Sequence, residues 1–418
     1  MRFLIAAPAS GCGKTTVTLG LLRAFAQDGM AVSGAKSGPD YIDPRFHEAA
    51  CGQPCLNLDA WAMTPARIRG LAPQGDLIIE GAMGLFDGAP PNGKGACADL
   101  ARILNIPVVL VVDAGRMAQS VAPIVQGFMQ FDPTVPIAGV ILNNVGSDRH
   151  DVMLRAALAK IDVKVFGTIK RDAALRMPSR HLGLVQAQEC TGLDAFLDLA
   201  ADAVHAGIEM DALRAVGAQT PFAANRPIPC PATRIAVAQD AAFAFTYPHL
   251  LADWHASGAS IETFSPLNND PVPMADLVYL PGGYPELYAG QLAGNTLFMQ
   301  SLINASQSAD IYGECGGYMT LGNSLTDAEG IQHKMAGLLD LGTSFAQRKL
   351  HLGYRKVAAN AGPFKGGWNA HEFHYATTMY AKGEPLFAAS DAIGTNLPDM
   401  GLRNGRVSGS FAHIIDAA

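Results

Sequence analysis

The chain is 418 residues long, 49% hydrophobic and 16% charged, which excludes an intrinsically disordered protein and provides for two or three packed domains. Thirty Lys and Arg against 37 Asp and Glu leave a net charge of −7. That balance argues against general nucleic-acid or anionic-membrane binding, because such partners require basic patches.

Met1 to Ala7 is too short an apolar run for a signal peptide and leads at once into Gly13-Lys14-Thr15, so a buried first strand is expected. Ala9-Ser10-Gly11-Cys12-Gly13-Lys14-Thr15-Thr16 then precedes a helix marked by Val17, Leu21, Leu22 and Phe25. This is the setting of a phosphate-binding loop, in which N–H groups at a helix start face the phosphates and the helix dipole assists. Lys14 would reach the outer phosphates, and the Thr15 hydroxyl would ligate Mg²⁺. The usual first glycine of the pattern, six residues before the lysine, is Pro8 here. Gly11 and Gly13 still permit close backbone approach, so Gly11, Gly13, Lys14, Thr15 and Thr16 are the nucleotide-binding candidates. Mg²⁺ needs more oxygens than one hydroxyl. Asp40 and Asp43 in Lys36-Ser37-Gly38-Pro39-Asp40-Tyr41-Ile42-Asp43-Pro44 are candidates, as is Glu80 after Leu77-Ile78-Ile79. Asp43 reads equally as a helix N-cap before Pro44. Lys36 could neutralise a developing phosphoryl or carboxylate charge.

Residues 108–112 and 137–142 are further uninterrupted apolar runs, ending at Asp113 and at Asn143-Asn144. Such runs are the signature of parallel strands covered on both faces, and polar residues at their carboxyl ends mark a ligand site. A helix-like stretch follows, and then Pro221, Pro227, Pro229 and Pro231 with little periodicity. The expected division is therefore 1–192, a linker over 193–232, and a second α/β domain over 233–418.

In the second domain, strands are expected at 234–238, 277–280 and 310–312, with short β segments at 351–357 and 372–375. Gly313-Glu314-Cys315-Gly316-Gly317 has the form of a nucleophile elbow with Cys at its apex. Pro281-Gly282-Gly283 could supply a second N–H to an oxyanion. A helix N-terminus would depress the thiol pKa. A histidine base is needed, and spacing alone does not choose between His413 and His374. Seven scattered cysteines do not read as a disulfide framework, and Cys51 and Cys55 lack the partners of a zinc site. No run of 18 apolar residues predicts a membrane span, and a cytoplasmic protein is expected.

Six segments in this order carry a family resemblance: the phosphate loop; Lys36 to Pro44; Glu80-Gly81-Ala82-Met83-Gly84-Leu85-Phe86-Asp87-Gly88; Pro178-Ser179-Arg180-His181-Leu182-Gly183-Leu184; Pro281-Gly282-Gly283-Tyr284-Pro285-Glu286; and the Cys315 elbow. Together they resemble the glutamine-dependent a,c-diamide synthases of cobalamin biosynthesis over essentially the whole chain. The resemblance implies a dethiobiotin-synthetase-like P-loop domain with a parallel sheet, joined to a class I glutamine amidotransferase-like α/β domain. It implies ATP as co-substrate with Mg²⁺, L-glutamine hydrolysed at Cys315, and amidation of the a and c acetates of a corrin through an acyl phosphate. It places His413 as the base, supports Thr15 and Glu80 at the metal, and suggests Asn143 near the adenine. Hydrogenobyrinate is preferred to cobyrinate on overall likeness. No nucleic acid or membrane partner is expected, and a homodimer is left open. One departure stands out. The wider glutaminase class carries Glu two residues after its His, and Ile415 occupies that position here; Asp416 is one candidate for the third partner. The alternatives are a related amidoligase on another tetrapyrrole (cobyric acid synthase or nickel-sirohydrochlorin a,c-diamide synthase) and a partitioning ATPase, which would need no Cys315 elbow.

Overall fold

The computed structural model describes residues 1–177, 179–180, 183–217 and 226–418. They form two compact units, Met1–Arg226 and Pro227–Ala418.

In the first unit the strands are Arg2–Ala6 (β1), Val32–Ser37 (β2), Leu56–Leu58 (β3), Asp76–Glu80 (β4), Val108–Asp113 (β5), Ile137–Val145 (β6) and Val165–Lys170 (β7). They pair in the order β3-β2-β4-β1-β5-β6-β7, all parallel. All five residues of β1 and the apolar residues of β5 are buried, because helices cover both faces. The carboxyl ends of the central strands all point to one edge, which brings the phosphate loop, Lys36, Glu80, Asp113 and Asn143 together. Helix α1 (Lys14–Gln27) follows β1, and helix α2 (Asp43–Cys51) follows β2. Leu193–Gly207 (α3), inside the stretch expected as a linker, is a helix packed against α1. A Cβ at Gly20 of α1 would lie 2.6 Å from the Ala200 carbonyl oxygen of α3, so the two backbones approach closely only because residue 20 is glycine. Pro221 and the rest of residues 218–225 lie outside the described residues. So do Pro178, His181 and Leu182 of the fourth segment, whose Ser179–Arg180 and Gly183–Leu184 pair as a small antiparallel ribbon.

In the second unit the strands used below are Arg234–Ala238 (β8), Ser260–Phe264 (β9), Leu277–Leu280 (β10), Asp310–Glu314 (β11), His351–Ala359 (β12), Gly366–His374 (β13), Phe387–Asp391 (β14), Asn396–Met400 (β15), Leu402–Asn404 (β16), Val407–Ser410 (β17) and Ala412–Ala417 (β18). One sheet has the order β9-β8-β10-β11-β17-β16, parallel except for its last pair. A second, antiparallel sheet has the order β15-β14-β12-β13-β18. The chain passes from the first to the second between β17 and β18, and this turn carries His413 towards the end of β11. Leu280, Phe298, Ile311, Leu321 and Leu341 are among the fully buried side chains of the core beneath the elbow. No helix among the described residues is long and apolar enough to cross a membrane.

Candidate active sites

The first unit holds a cleft of about 1120 Å³ lined by Gly11, Gly13, Lys14, Thr15, Thr16, Lys36, Asp40, Asp43, Glu80 and Asn143, among others. Gly13 sits at φ 90°, a left-handed conformation that opens α1. A Cβ there would lie 2.1 Å from the Asn143 amide nitrogen. The same amide donates to the Cys12 carbonyl at 3.0 Å, so Asn143 braces the phosphate loop from the end of β6. Thr16 donates to the Leu175 carbonyl at 3.3 Å. Lys14 donates to the Met83 and Ala9 carbonyls at 2.6 and 3.2 Å. Burial, with Lys36 nearby, pushes the Lys14 ammonium below the ordinary lysine range.

The Thr15 hydroxyl donates to Glu80 Oε1 at 2.7 Å. Lys36 Nζ donates to the same oxygen at 2.8 Å and also to Asp43. His47 Nε2 lies 2.6 Å from Glu80 Oε2, and its Nδ1 lies 3.3 Å from the Cys55 sulfur. Glu80, Lys36 and His47 are all almost fully buried. Burial alone would raise Glu80, but Lys36 and His47 outweigh it and hold the carboxyl well below the usual range. Burial alone would lower Lys36, but Asp43 and Glu80 outweigh it and keep the ammonium charged. Asp43 is pushed up to about 8, by burial first and by Asp40 next. Asp40 Oδ1 accepts the amides of Ile42 and Asp43 at 2.7 and 2.9 Å. One of its oxygens therefore ties its own turn, although the residue lines the cleft. Glu80 and Asp43 contact the Lys36 ammonium, and Asp40 acts on it electrostatically. The oxygens of Thr15, Asp40, Asp43 and Glu80 are the hard donors that a divalent cation such as Mg²⁺ prefers. His47 was not singled out from the sequence. Its signal is the i, i+4 spacing with Asp43 on α2, which turns both residues to the same side.

The second unit holds the cysteine elbow. Cys315 stands between β11 and the short helix Gly316–Leu321 with φ 46° and ψ −99°, a strained backbone for a residue with a Cβ. Its amide donates to the Ser410 carbonyl at 2.8 Å. A Cβ at Gly317 would lie 2.0 Å from the Leu280 carbonyl oxygen, and one at Gly316 would lie 2.8 Å from Pro285 Cδ and 3.2 Å from the Gly283 nitrogen. The elbow therefore requires its glycines for space. A Cβ at Gly282 would lie 2.4 Å from His413 Cε1. Gly282 thus abuts the imidazole while Gly283 abuts the residue after Cys315. The Pro281-Gly282-Gly283 turn therefore packs against both the His413 ring and the residue that follows Cys315.

One expectation is overturned. The Cys315 thiol is pushed up from the ordinary cysteine range, not depressed, by burial first and by Glu286 next, with Glu314 and Glu372 adding to it. Only 4% of the residue is exposed, and the helix after it is six residues long, so its dipole does not offset desolvation among carboxylates. His374 belongs to another cluster. Its Nε2 lies 3.1 Å from Glu372 Oε1, and its ring stacks on Phe411 and on His351 at 3.9 and 4.6 Å. Arg355 Nε donates to Glu372 Oε2 at 2.9 Å. His351, Glu372 and His374 place ligand atoms within 4.8 Å of one another, but the guanidinium already neutralises the carboxylate there. Burial keeps His374 below the ordinary imidazole range. Asp416 Oδ1 accepts the Ala417 amide at 3.0 Å. All seven cysteines are free thiols.

Comparison with known proteins accounts for both units. Residues 3–185 match the CobQ/CobB/MinD/ParA nucleotide binding domain, and residues 234–418 match the CobB/CobQ-like glutamine amidotransferase domain. Relatives named hydrogenobyrinate a,c-diamide synthase match nearly end to end. The Brucella suis protein is 53% identical over 99% of this chain and 98% of its own length. The Sinorhizobium protein is 52% identical with the same coverage. The Rhodobacter capsulatus protein is 48% identical over 98% of each.

Proposed function

The chain belongs to the hydrogenobyrinate a,c-diamide synthase family of glutamine-hydrolysing amidating ligases, and we propose that it converts the a and c acetate carboxylates of hydrogenobyrinate to amides with ATP and L-glutamine. In the second unit, Cys315 sulfur attacks the carboxamide carbon of glutamine. Its proton passes to His413 and then to the departing nitrogen, so ammonia leaves and a γ-glutamyl thioester remains. Water, deprotonated by the same imidazole, releases glutamate and restores the thiol. Backbone N–H groups of Gly316 and Gly283 are the donors available to the oxyanion.

In the first unit, a carboxylate oxygen of the corrin attacks the γ-phosphorus of ATP and ADP departs, giving an acyl phosphate. Ammonia adds to the acyl carbon and inorganic phosphate is expelled. Gly11, Gly13, Lys14 and Thr16 bind the phosphates, and Asn143 holds the loop in shape. Thr15, Glu80 and Asp40 are the residues that would hold Mg²⁺, which when bound offsets charge on the transferring phosphoryl group. Lys36 holds Glu80 ionised for that role.

The observation that carries this reading is that a phosphate loop, with Thr15 on Glu80 at 2.7 Å, shares one chain with a cysteine elbow. A glutaminase alone releases ammonia, and a nucleotide site alone activates a carboxylate; amide synthesis needs both. The test is incubation of ¹⁸O-carboxylate hydrogenobyrinate with ATP, Mg²⁺ and glutamine. One ADP and one glutamate per amide are expected, with ¹⁸O in the released phosphate. Unlabelled phosphate would rule out the acyl phosphate. Faster diamide formation from cobyrinate, read by product mass, would reverse the choice of corrin.

A further inference from the structure

Ile415 stands where the wider glutaminase class carries a carboxylate, two residues after His413. A different carboxylate lies beside the ring. Glu314, the last residue of β11 and the one before the nucleophile, brings Oε2 to 3.6 Å from His413 Nδ1. Glu314 and His413 are each 1% exposed. The carboxylate is fixed from two other sides. The Tyr279 hydroxyl of β10 donates to Oε2 at 2.9 Å, and the Ile414 amide of β18 donates to Oε1 at 3.1 Å. The Ile414 bond ties Glu314 directly to the strand that carries His413. Gly282 packs against the ring at Cε1, where any Cβ would collide.

We propose that Glu314 is the positioning carboxylate for His413: it accepts Nδ1–H, so that Nε2 is left unprotonated to take the Cys315 proton. The proposal rests on the glutaminase reading of Cys315 given above. A separation of 3.6 Å exceeds a formed hydrogen bond, and catalytic contacts of this kind tighten when substrate binds. The carboxylate also stabilises the imidazolium formed when the thiol proton is transferred. The acid is thus supplied from the nucleophile's own strand instead of from the histidine's.

His371 and His374 interact electrostatically with the ring; Glu314 itself faces Cys315 and the Tyr279 hydroxyl, Glu286 faces Cys315, and the Arg355–Glu372 pair lies against His374. His371, the register partner of His413 on β13, is held down to about 3, mainly by burial. It stays neutral at working pH and does not compete for the proton.

The test compares glutamine hydrolysis by wild type, Glu314→Gln, Glu314→Asp and Asp416→Asn, each checked for folding by thermal melting. For Glu314→Gln a fall in kcat of roughly 10²- to 10⁴-fold is expected, the scale of losing the orienting acid of a triad, with KM little changed. The acid limb of kcat/KM should move to lower pH, because a neutral amide no longer supports the imidazolium. Glu314→Asp should recover part of kcat and the wild-type acid limb; Asp416→Asn should hydrolyse glutamine normally. A folded Glu314→Gln with near-normal kcat and an unmoved acid limb overturns the proposal, as does Asp416→Asn showing the loss in its place. If Glu314→Gln melts, Glu314→Asp decides: a wild-type acid limb supports the proposal, and a folded variant with a shifted limb overturns it. If Cys315→Ala still hydrolyses glutamine, the glutaminase reading itself fails. If Cys315→Ala is inactive and Glu314→Gln is normal, only the role of Glu314 fails.

Discussion

The nucleotide cleft and the cysteine elbow handle buried charge in opposite ways. In the cleft, Lys36 sits among carboxyl groups and Glu80 is held ionised by Lys36 and His47. The charges are paired before any substrate arrives, and the cleft is large enough to take a nucleotide. At the elbow, the thiol is nearly closed off and its acidic neighbours disfavour the thiolate. One site rests charged and the other rests protonated. On the mechanism proposed here, the glutaminase half would depend on a base at the moment of reaction and the phosphate half on static ion pairing.

The largest effect that can break this comparison is at the nucleophile. Cys315→Ser should reduce glutamine hydrolysis by roughly 10⁶-fold, the scale of deleting a nucleophile, and glutamine-dependent amidation with it. Amidation from high ammonia should survive, because Cys315 takes no part in forming the activated carboxylate. Loss of both activities in a folded protein, measured as glutamate release and diamide mass, would deny that the two halves are separable. Next comes the base. His413→Ala should lose hydrolysis by about 10²- to 10⁴-fold, while His374→Ala, whose ring is engaged with Glu372, keeps most of it; the reverse order would move the base to β13.

Glu80→Gln sharpens the other side. An amide cannot replace the charge that binds a divalent cation, so amidation from glutamine and from ammonia should both fall, by more than about 100-fold, since even outer partners of a metal ligand are worth 10–100-fold. Cys315 should remain as reactive to alkylation as in wild type. Near-normal amidation at ordinary Mg²⁺ would remove Glu80 from the metal site. The smallest effect concerns the resting thiol. Because the folded-state pKa is raised, the thiolate fraction is small at neutral pH and grows only as pH rises well past the ordinary cysteine range. Iodoacetamide labelling of the Cys315 peptide, followed by mass, should be slow at pH 7 and climb steadily into the alkaline range. A plateau already reached near pH 7 would show a depressed pKa and cancel the contrast with the cleft.

What the sequence determined by itself is local. The phosphate loop and the elbow are contiguous stretches whose glycines are demanded by backbone geometry within a few residues: the left-handed φ of Gly13, and the collisions a Cβ would meet at Gly316 and Gly317. The runs that became β1, β4, β5, β6, β8, β10 and β11 were legible for the same reason, since continuous burial leaves a continuous apolar signature. β14 and β15 were not legible. Phe387–Asp391 and Asn396–Met400 carry small, polar and exposed residues, and they are strands because partners across the sheet pair with them. The protonation states were decided only by the tertiary structure. Glu80 meets Thr15 across 65 residues of chain, Lys36 across 44 and His47 across 33, and Glu314 meets the Ile414 amide across 100. A helix start directly after Cys315 predicted a low thiol pKa. Burial, with Glu286 and Glu372 brought in by separate segments beside the adjacent Glu314, reversed it, because desolvation and charge–charge repulsion depend on which groups the fold makes neighbours.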